Sequence, residues 1–196
     1  MSGGISGRPR AQRIDDALVK SVEEILAESG FRGLTVNGVL DRAGSNRPSF
    51  YRRYGGVPEL LLATVRHRYS DVPEVADTGD LETELLEFQR EQARIFDDPV
   101  LRNALPGLLE ALRNDQQLEE AFLECFVQPR ETAVKNIIGR AVLRGEIAVP
   151  EETDWIYDLL TGPLVMRAGM PGRSPVDERL VQQTVRATLT ELRQGA

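Results

Sequence analysis

The sequence predicts an all-α protein, with an N-terminal three-helix helix-turn-helix domain followed by a larger C-terminal helical domain, about nine helices in all. Three observations carry that prediction. Apolar residues recur at the 3.6-residue helical period through most of the 196 residues, strand-like alternation is rare, and Gly and Pro punctuate the periodic segments. No sheet is expected.

The elements follow in chain order. Residues 1–9 carry three glycines and one proline and are expected to form a flexible N-terminal arm. Ile14, Leu18, Val22, Ile25 and Leu26 make the apolar stripe of a first helix that Gly30 stops. Thr35 is a good N-cap for a short second helix that carries Val36, Val39 and Leu40 inward until Gly44. A third helix is expected from Asn46 to Tyr54. A fourth follows the Gly55-Gly56 break, with Pro58 in its first turn, and reaches Tyr69. Pro73, Asp77 and Gly79 then mark a linker, so the domains are expected at residues 10–69 and 70–196. Beyond the linker, helices are expected over Asp80 to Asp97, over Val100 to Asn114 with a bend at Pro106, and over Gln116 to Arg144. Pro129 should kink or divide the last of these, because it lacks the N–H that a helix interior needs. After the turn Gly145 to Pro150, an eighth helix is expected over Thr153 to Met170 and a ninth over Val176 to Arg193.

Composition narrows the function classes. No apolar run approaches the roughly 18 residues of a membrane span, and the N-terminus lacks the apolar stretch of a secretory signal, so a cytoplasmic protein without membrane contact is expected. Cys125 is the only cysteine, which excludes an internal disulfide and a Cys-rich metal site. His67 is the only histidine. With no second His or Cys near it and no Gly-rich phosphate loop, neither a metal, a cofactor nor a catalytic residue is expected, and an enzyme is disfavoured. The net charge of −7 conceals an asymmetry: residues 1–69 carry +4 and residues 70–196 carry −11. The basic charge coincides with the helix-turn-helix.

Leu34 to Tyr54 reads as helix, tight turn, helix. Ala43 and Gly44 allow two short helices to cross closely, Asn46 is placed as N-cap, and Pro48 falls in the first turn, where its missing N–H does no harm. This leaves Arg47, Pro48, Ser49 and Tyr51 on an outer face suited to the DNA major groove, with Phe50 turned into the core. Arg47 has the two donors that match guanine O6 and N7, Pro48 suits a thymine methyl, and Ser49 suits base edges or phosphate. Tyr51 and Tyr54 offer hydroxyls for phosphate, and Thr35, at the start of the second helix, and Arg52 complete the expected set. Arg8, Arg10 and Arg13 stand in or beside the arm, where they form either a minor-groove contact or a plain tail.

Residues 10–69 resemble the DNA-binding domain of the TetR family of transcriptional regulators. The resemblance is carried by Thr35-Val36, Asp41-Arg42-Ala43-Gly44, Ser49-Phe50-Tyr51-Arg52-Arg53-Tyr54 and Glu59-Leu60. It departs at Ser45, Gly38 and Val57, the last standing where the family commonly has a phosphate-binding Lys. A looser likeness continues through Pro129-Arg130, Arg144-Gly145-Glu146, Asp158, Gly162-Pro163-Leu164 and Arg167. The resemblance implies a homodimer on a palindromic operator in double-stranded DNA, and a repressor released by a small hydrophobic effector held in the C-terminal domain. The competing class is a helical ligand-binding or scaffolding protein with weakened DNA binding.

Two further sets follow from helical spacing. On the fifth helix, Gln92 shares an inward stripe with Phe88, where its amide meets a ligand, a protein carbonyl or a trapped water, and Phe96, Phe122, Phe126, Trp155 and Tyr157 lie on the same or neighbouring helices; these are the candidate effector residues or plain core. Leu160, Leu164, Val181, Val185, Thr188 and Leu192 line faces of the eighth and ninth helices that are either core or dimer interface.

Overall fold

A computed structural model describes residues 7–194, and among these every regular element is helical. In order they are α1 (Gly7–Ser29), a 3-10 turn (Phe31–Gly33), α2 (Val36–Ala43), α3 (Arg47–Tyr51), α4 (Val57–Tyr69), α5 (Leu81–Asp97), α6 (Pro99–Asn114), α7 (Gln116–Phe122), a π turn (Leu123–Val127), α8 (Gln128–Leu143), α9 (Thr153–Gly169) and α10 (Glu178–Gln194). Helix α7, the π turn and α8 run on without a break, so the described residues form nine continuous helices.

The elements differ from expectation at the start of α1, at the end of α3 and near Pro129. Helix α1 begins at Gly7, so the last three residues of the expected arm are helical, and residues 1–6 lie outside the described residues. Helix α3 ends at Tyr51 rather than Tyr54, because the Phe50 carbonyl is shared by the N–H groups of Arg53 (2.8 Å) and Tyr54 (3.0 Å), a tightened turn that closes the helix. Helix α6 passes through Pro106 uninterrupted. The irregularity expected at Pro129 falls one turn earlier: the chain widens to a π turn before Gln128, and Pro129 occupies the first turn of α8, where it is tolerated.

The chain divides into two compact units. The second comprises Tyr69–Arg102 and Leu123–Ala196. At its centre α5 packs against α8, α9 and α10. Leu85, Phe88, Ile137, Ile156, Leu160, Val185 and Leu189 form one buried cluster, each side chain contributing about 1.5–3 kcal/mol by leaving water. The start of α5 is pinned by polar contacts. Asp80 Oδ1 caps the helix by accepting from the Thr83 N–H at 2.8 Å, and the fully buried Glu84 accepts from Arg140 Nη2 at 2.6 Å and from the Thr78 N–H at 3.2 Å. Arg144 Nη1 lies 3.2 Å from the other Glu84 oxygen, so two guanidiniums compensate one buried carboxylate.

This packing decides between the two alternatives for one set of residues. Leu160, Leu164, Val181, Val185, Thr188 and Leu192 are all buried within the single chain. Helices α9 and α10 spend that stripe on each other and on α5, so a second subunit would have to meet other residues.

The first unit comprises Met1–Arg68 and Asn103–Phe122. Helix α1 packs against α2 and the 3-10 turn, and Leu18, Val22, Leu26, Val39, Phe50, Leu60 and Val65 are fully buried. Arg42 forks onto the two oxygens of Glu28 at 2.8 and 2.7 Å, which fixes α2 in register with α1; the pair is exposed, so it orients more than it stabilises. The latter half of α6 also belongs here. Asn103 Nδ2 donates to the Leu26 carbonyl in the last turn of α1 at 2.7 Å. Gly107 lies beneath the Phe31 ring so closely that a Cβ there would stand 2.0 Å from Cζ.

That close approach makes a prediction. Gly107→Ala gains helix propensity but displaces the Phe31 ring, whereas in a Phe31→Ala background the same change should stabilise by up to about 1 kcal/mol. A double-mutant cycle followed by urea denaturation is expected to give a coupling energy of about 1 kcal/mol, and strict additivity would refute the contact.

Candidate functional site

The helix-turn-helix is built from two capped helices and one glycine. Thr35 Oγ1 accepts from the Gly38 N–H at 3.1 Å to open α2, and Asn46 Oδ1 accepts from the Ser49 N–H at 2.9 Å to open α3. Between them Gly44 sits at φ 59°, ψ 35°, a left-handed conformation that a side chain would strain. Phe50 is fully buried, with the Tyr51 ring edge-on at 5.1 Å and the Tyr54 ring at 6.0 Å. Because Phe50 faces inward, the residues on the opposite side of the helix face out.

The structure brings most of the predicted residues onto that side. Thr35, Asn46, Arg47, Pro48 and Arg52 are exposed, and Tyr51 is 50% exposed. Arg47 Nη2 donates to Asn37 Oδ1 at 2.8 Å, so Asn37, the second residue of α2, holds the Arg47 side chain. Sequence reasoning missed Asn37; its signal is a polar residue two positions after the cap on the outward side of α2. Two expectations are corrected. Ser49 is buried, and its hydroxyl accepts from Arg53 Nη1 at 2.9 Å, so it braces the helix from within instead of facing the groove. Tyr54 is half-buried; burial first, and then the negative charge of Asp15, push its phenol above the usual range, and a hydroxyl beside a carboxylate is poorly placed for phosphate. Arg53 is committed as well, its Nε standing 2.8 Å from Asp15.

The candidate effector residues separate. Phe88, Gln92, Phe96, Phe126 and Tyr157 are buried in the second unit, where the Phe96 and Phe126 rings meet edge-on at 6.3 Å. Phe122 belongs to the first unit. Trp155 is 47% exposed, with Nε1 donating to Glu191 Oε1 at 3.2 Å, which removes it from the interior set. The residue that the spacing did not reveal is Arg130. It is fully buried, its guanidinium stacked 3.8 Å from the centre of the Phe126 ring. Nε donates to Gln92 Oε1 at 2.9 Å, Nη1 to the Phe126 carbonyl at 2.6 Å and Nη2 to the Tyr69 carbonyl at 2.6 Å. Burial pulls its pKa down to about 10, so the group remains a cation at neutral pH. Burial also raises the Tyr157 phenol above its ordinary range. Among the described residues no cluster of His, Cys, Asp and Glu could hold a metal ion.

Known proteins resemble this arrangement over nearly its whole length. Residues 75–188 match the family described as "Tetracyclin repressor-like, C-terminal domain". An HTH-type transcriptional regulator of Mycobacterium bovis is 29% identical over 168 residues, covering 86% of this chain and 80% of the relative. The DNA-binding transcriptional repressor TetR of Mycobacteroides abscessus is 28% identical over 192 residues, covering 95% and 98%. Among solved structures, a TetR-family regulator from Mesorhizobium loti superposes with a TM-score of 0.71 at 18% identity, covering 92% of this chain and 97% of its own, which establishes the fold.

Helix α3 has only five residues, so its cap carries a large share of its stability. Asn46→Ala should cost about 1 kcal/mol and lower the melting temperature by roughly 2–4 °C, while Asn46→Ser should restore most of the loss. Equal melting of all three proteins would show that the cap is not what holds α3.

Proposed function

The chain belongs to the TetR family of transcriptional regulators, and on that premise we propose that it acts in the cytoplasm as a homodimeric repressor that reads a palindromic operator and is released from it by a small hydrophobic effector. The single observation that supports the reading best is the outward side of α3, where Arg47 and Pro48 stand exposed over a buried Phe50. Arg47, steadied by Asn37, supplies bidentate recognition of a guanine, and Pro48 meets a thymine methyl. Tyr51, Arg52 and the N-terminus of α2 behind Thr35 hold phosphates and set the register. Helix α4 contributes less, because it opens on Val57 and carries Glu59 in its first turn. A helical protein without DNA binding is not favoured by its relatives, and both caps of the helix-turn-helix are in place.

A single reader on each subunit needs a second copy at fixed spacing, roughly one turn of DNA away. The surface left for it is the outer side of α9. Trp155, Met166 and Met170 are each about half exposed there, with Leu159 and Pro163 between them at helical spacing. Effector binding would favour one spacing of the two readers over the other, and its influence on DNA equals its difference in affinity for the two states. Helix α4 is suited to carry that influence, since its last residue, Tyr69, gives its carbonyl to Arg130.

Two experiments test this. In gel shifts against the promoter of the chain's own gene, affinity should fall steeply as salt rises, and Arg47→Ala should relax base preference at one position by about 1–3 kcal/mol. Salt-independent binding would overturn the DNA reading. In sedimentation at micromolar concentration, Met166→Asp should shift the mass from dimer to monomer and weaken operator binding with it; an unchanged dimer would remove α9 from the interface.

A further inference from the structure

The DNA reading makes Arg47 the base reader without saying which of its donors face the groove, and the helix-turn-helix restricts that choice. Resting on that reading, we propose that Asn37 is a second specificity-determining residue. It fixes the donor edge that Arg47 presents to a guanine, and it does so without neutralising the Arg47 charge.

The edge follows from the shape of a guanidinium. Its five N–H donors lie in one rigid plane and form two edges of parallel pairs, one made by Nε with Nη2 and the other by Nη1 with Nη2. Either edge matches guanine O6 and N7. Nη2 serves both, with one hydrogen in each. Arg47 Nη2 donates one of these hydrogens to Asn37 Oδ1 at 2.8 Å, which takes that edge out of use and leaves both donors of the other. Arg47 cannot accept, so the Asn37 amide is held with its oxygen toward the guanidinium. Both residues are exposed, and Asn37 belongs to α2 whereas Arg47 opens α3, so the bond spans the turn of the helix-turn-helix. A long side chain held at its tip from a second helix has less freedom to lose on docking.

The neutrality of the holder sets Arg47 apart from its neighbours. Arg42 pairs with Glu24 and Glu28, Arg53 with Asp15, and Arg68 with Glu23. Each of these cations meets a carboxylate carried by α1. Arg47 has no ion pair among the described residues, and what holds it is an amide. A carboxylate at position 37 would orient the guanidinium at least as well but would cancel the positive charge that draws it to DNA. The amide orients it and leaves the charge in place. Asn37 carries no charge of its own, so its influence falls on the choice of base and not on the attraction to phosphate.

The test uses the full-length protein and a pool of duplexes randomised at their centre. Selection by the wild-type protein yields an operator, and fluorescence anisotropy then measures affinity for that duplex and its single-base variants at two salt concentrations. The base pair read by Arg47 is the one at which Arg47→Ala loses its preference. Asn37→Ala should lower the guanine preference at that pair about tenfold, with the salt dependence and the melting temperature unchanged. Asn37→Asp keeps oxygens for Arg47, so it should keep the preference while weakening binding to every duplex and making log affinity less steep in log salt by about one. In an Arg47→Lys background, which keeps the charge and removes the fork, Asn37→Ala should have no further effect on base preference. An unchanged guanine preference in Asn37→Ala, an equal loss of preference in Asn37→Asp, or an effect of Asn37→Ala that persists in the Arg47→Lys background would overturn the proposal. Failure of the DNA reading looks different: the wild-type protein then selects no sequence, or Arg47→Ala leaves every preference intact, and the role of Asn37 falls with it.

Discussion

A guanidinium without solvent and, among the described residues, without a carboxylate in ion-pair contact can be kept in a protein interior only if the backbone is bent to offer it dipoles, and Arg130 imposes that condition on the second unit. Desolvating such an ion costs several kcal/mol, and each charge-assisted hydrogen bond returns about 1.5–3 kcal/mol. Three such bonds and the face of Phe126 come from three separate places: the end of α4, the middle of α5 and the π turn. Pro129 explains the third. It has no N–H to continue the helix, the chain widens just before it, and the Phe126 carbonyl in that widened turn becomes the acceptor for Arg130 Nη1. The proline, the π turn and the buried cation thus form one device.

The first unit depends on the opposite economy. Helix α3 is only five residues long, too short to stand by its own hydrogen bonds, so it survives by being capped at Asn46, closed at Phe50 and anchored through one buried ring. Stiffness is supplied from α1, through Arg42 on Glu28 and Arg53 on Asp15. Two of the four arginines from Arg42 to Arg53 are therefore structural, and the basic charge of this segment overstates what is available to DNA.

Much of this was legible in the sequence. Thr35, Gly44 and Asn46 announce their roles because caps and left-handed turns accept few residue types, and the helix boundaries beyond residue 80 follow from periodicity within a few positions. What stayed hidden depends on neighbours that are distant along the chain. Nothing local says that Ser49 will be taken by Arg53, or that Tyr54 will lie beside Asp15. Arg130 enters the sequence reading only as half of the Pro129-Arg130 likeness, and its burial follows from Tyr69 and Gln92 being brought to it from 61 and 38 residues away.

The two alternatives left open for α9 and α10 have the same origin. Periodicity shows that a face is apolar but not whether the same chain or a second copy covers it, and Leu160, Leu164, Val181, Val185, Thr188 and Leu192 prove to be covered internally. The two helices are nonetheless unlike. The exposed positions of α10 among the described residues are Glu178, Arg179, Gln182, Gln183, Arg186, Ala187, Thr190, Glu191 and Arg193, nearly all polar, so one covered face satisfies it. Helix α9 buries Ile156, Leu160 and Leu164 yet still presents Trp155 and Met166 outward, with Met170 exposed just past its end. A helix apolar on both sides needs two partners. Its own chain supplies α5 and α10 on one side, and the other side is the one that the proposed dimer would cover.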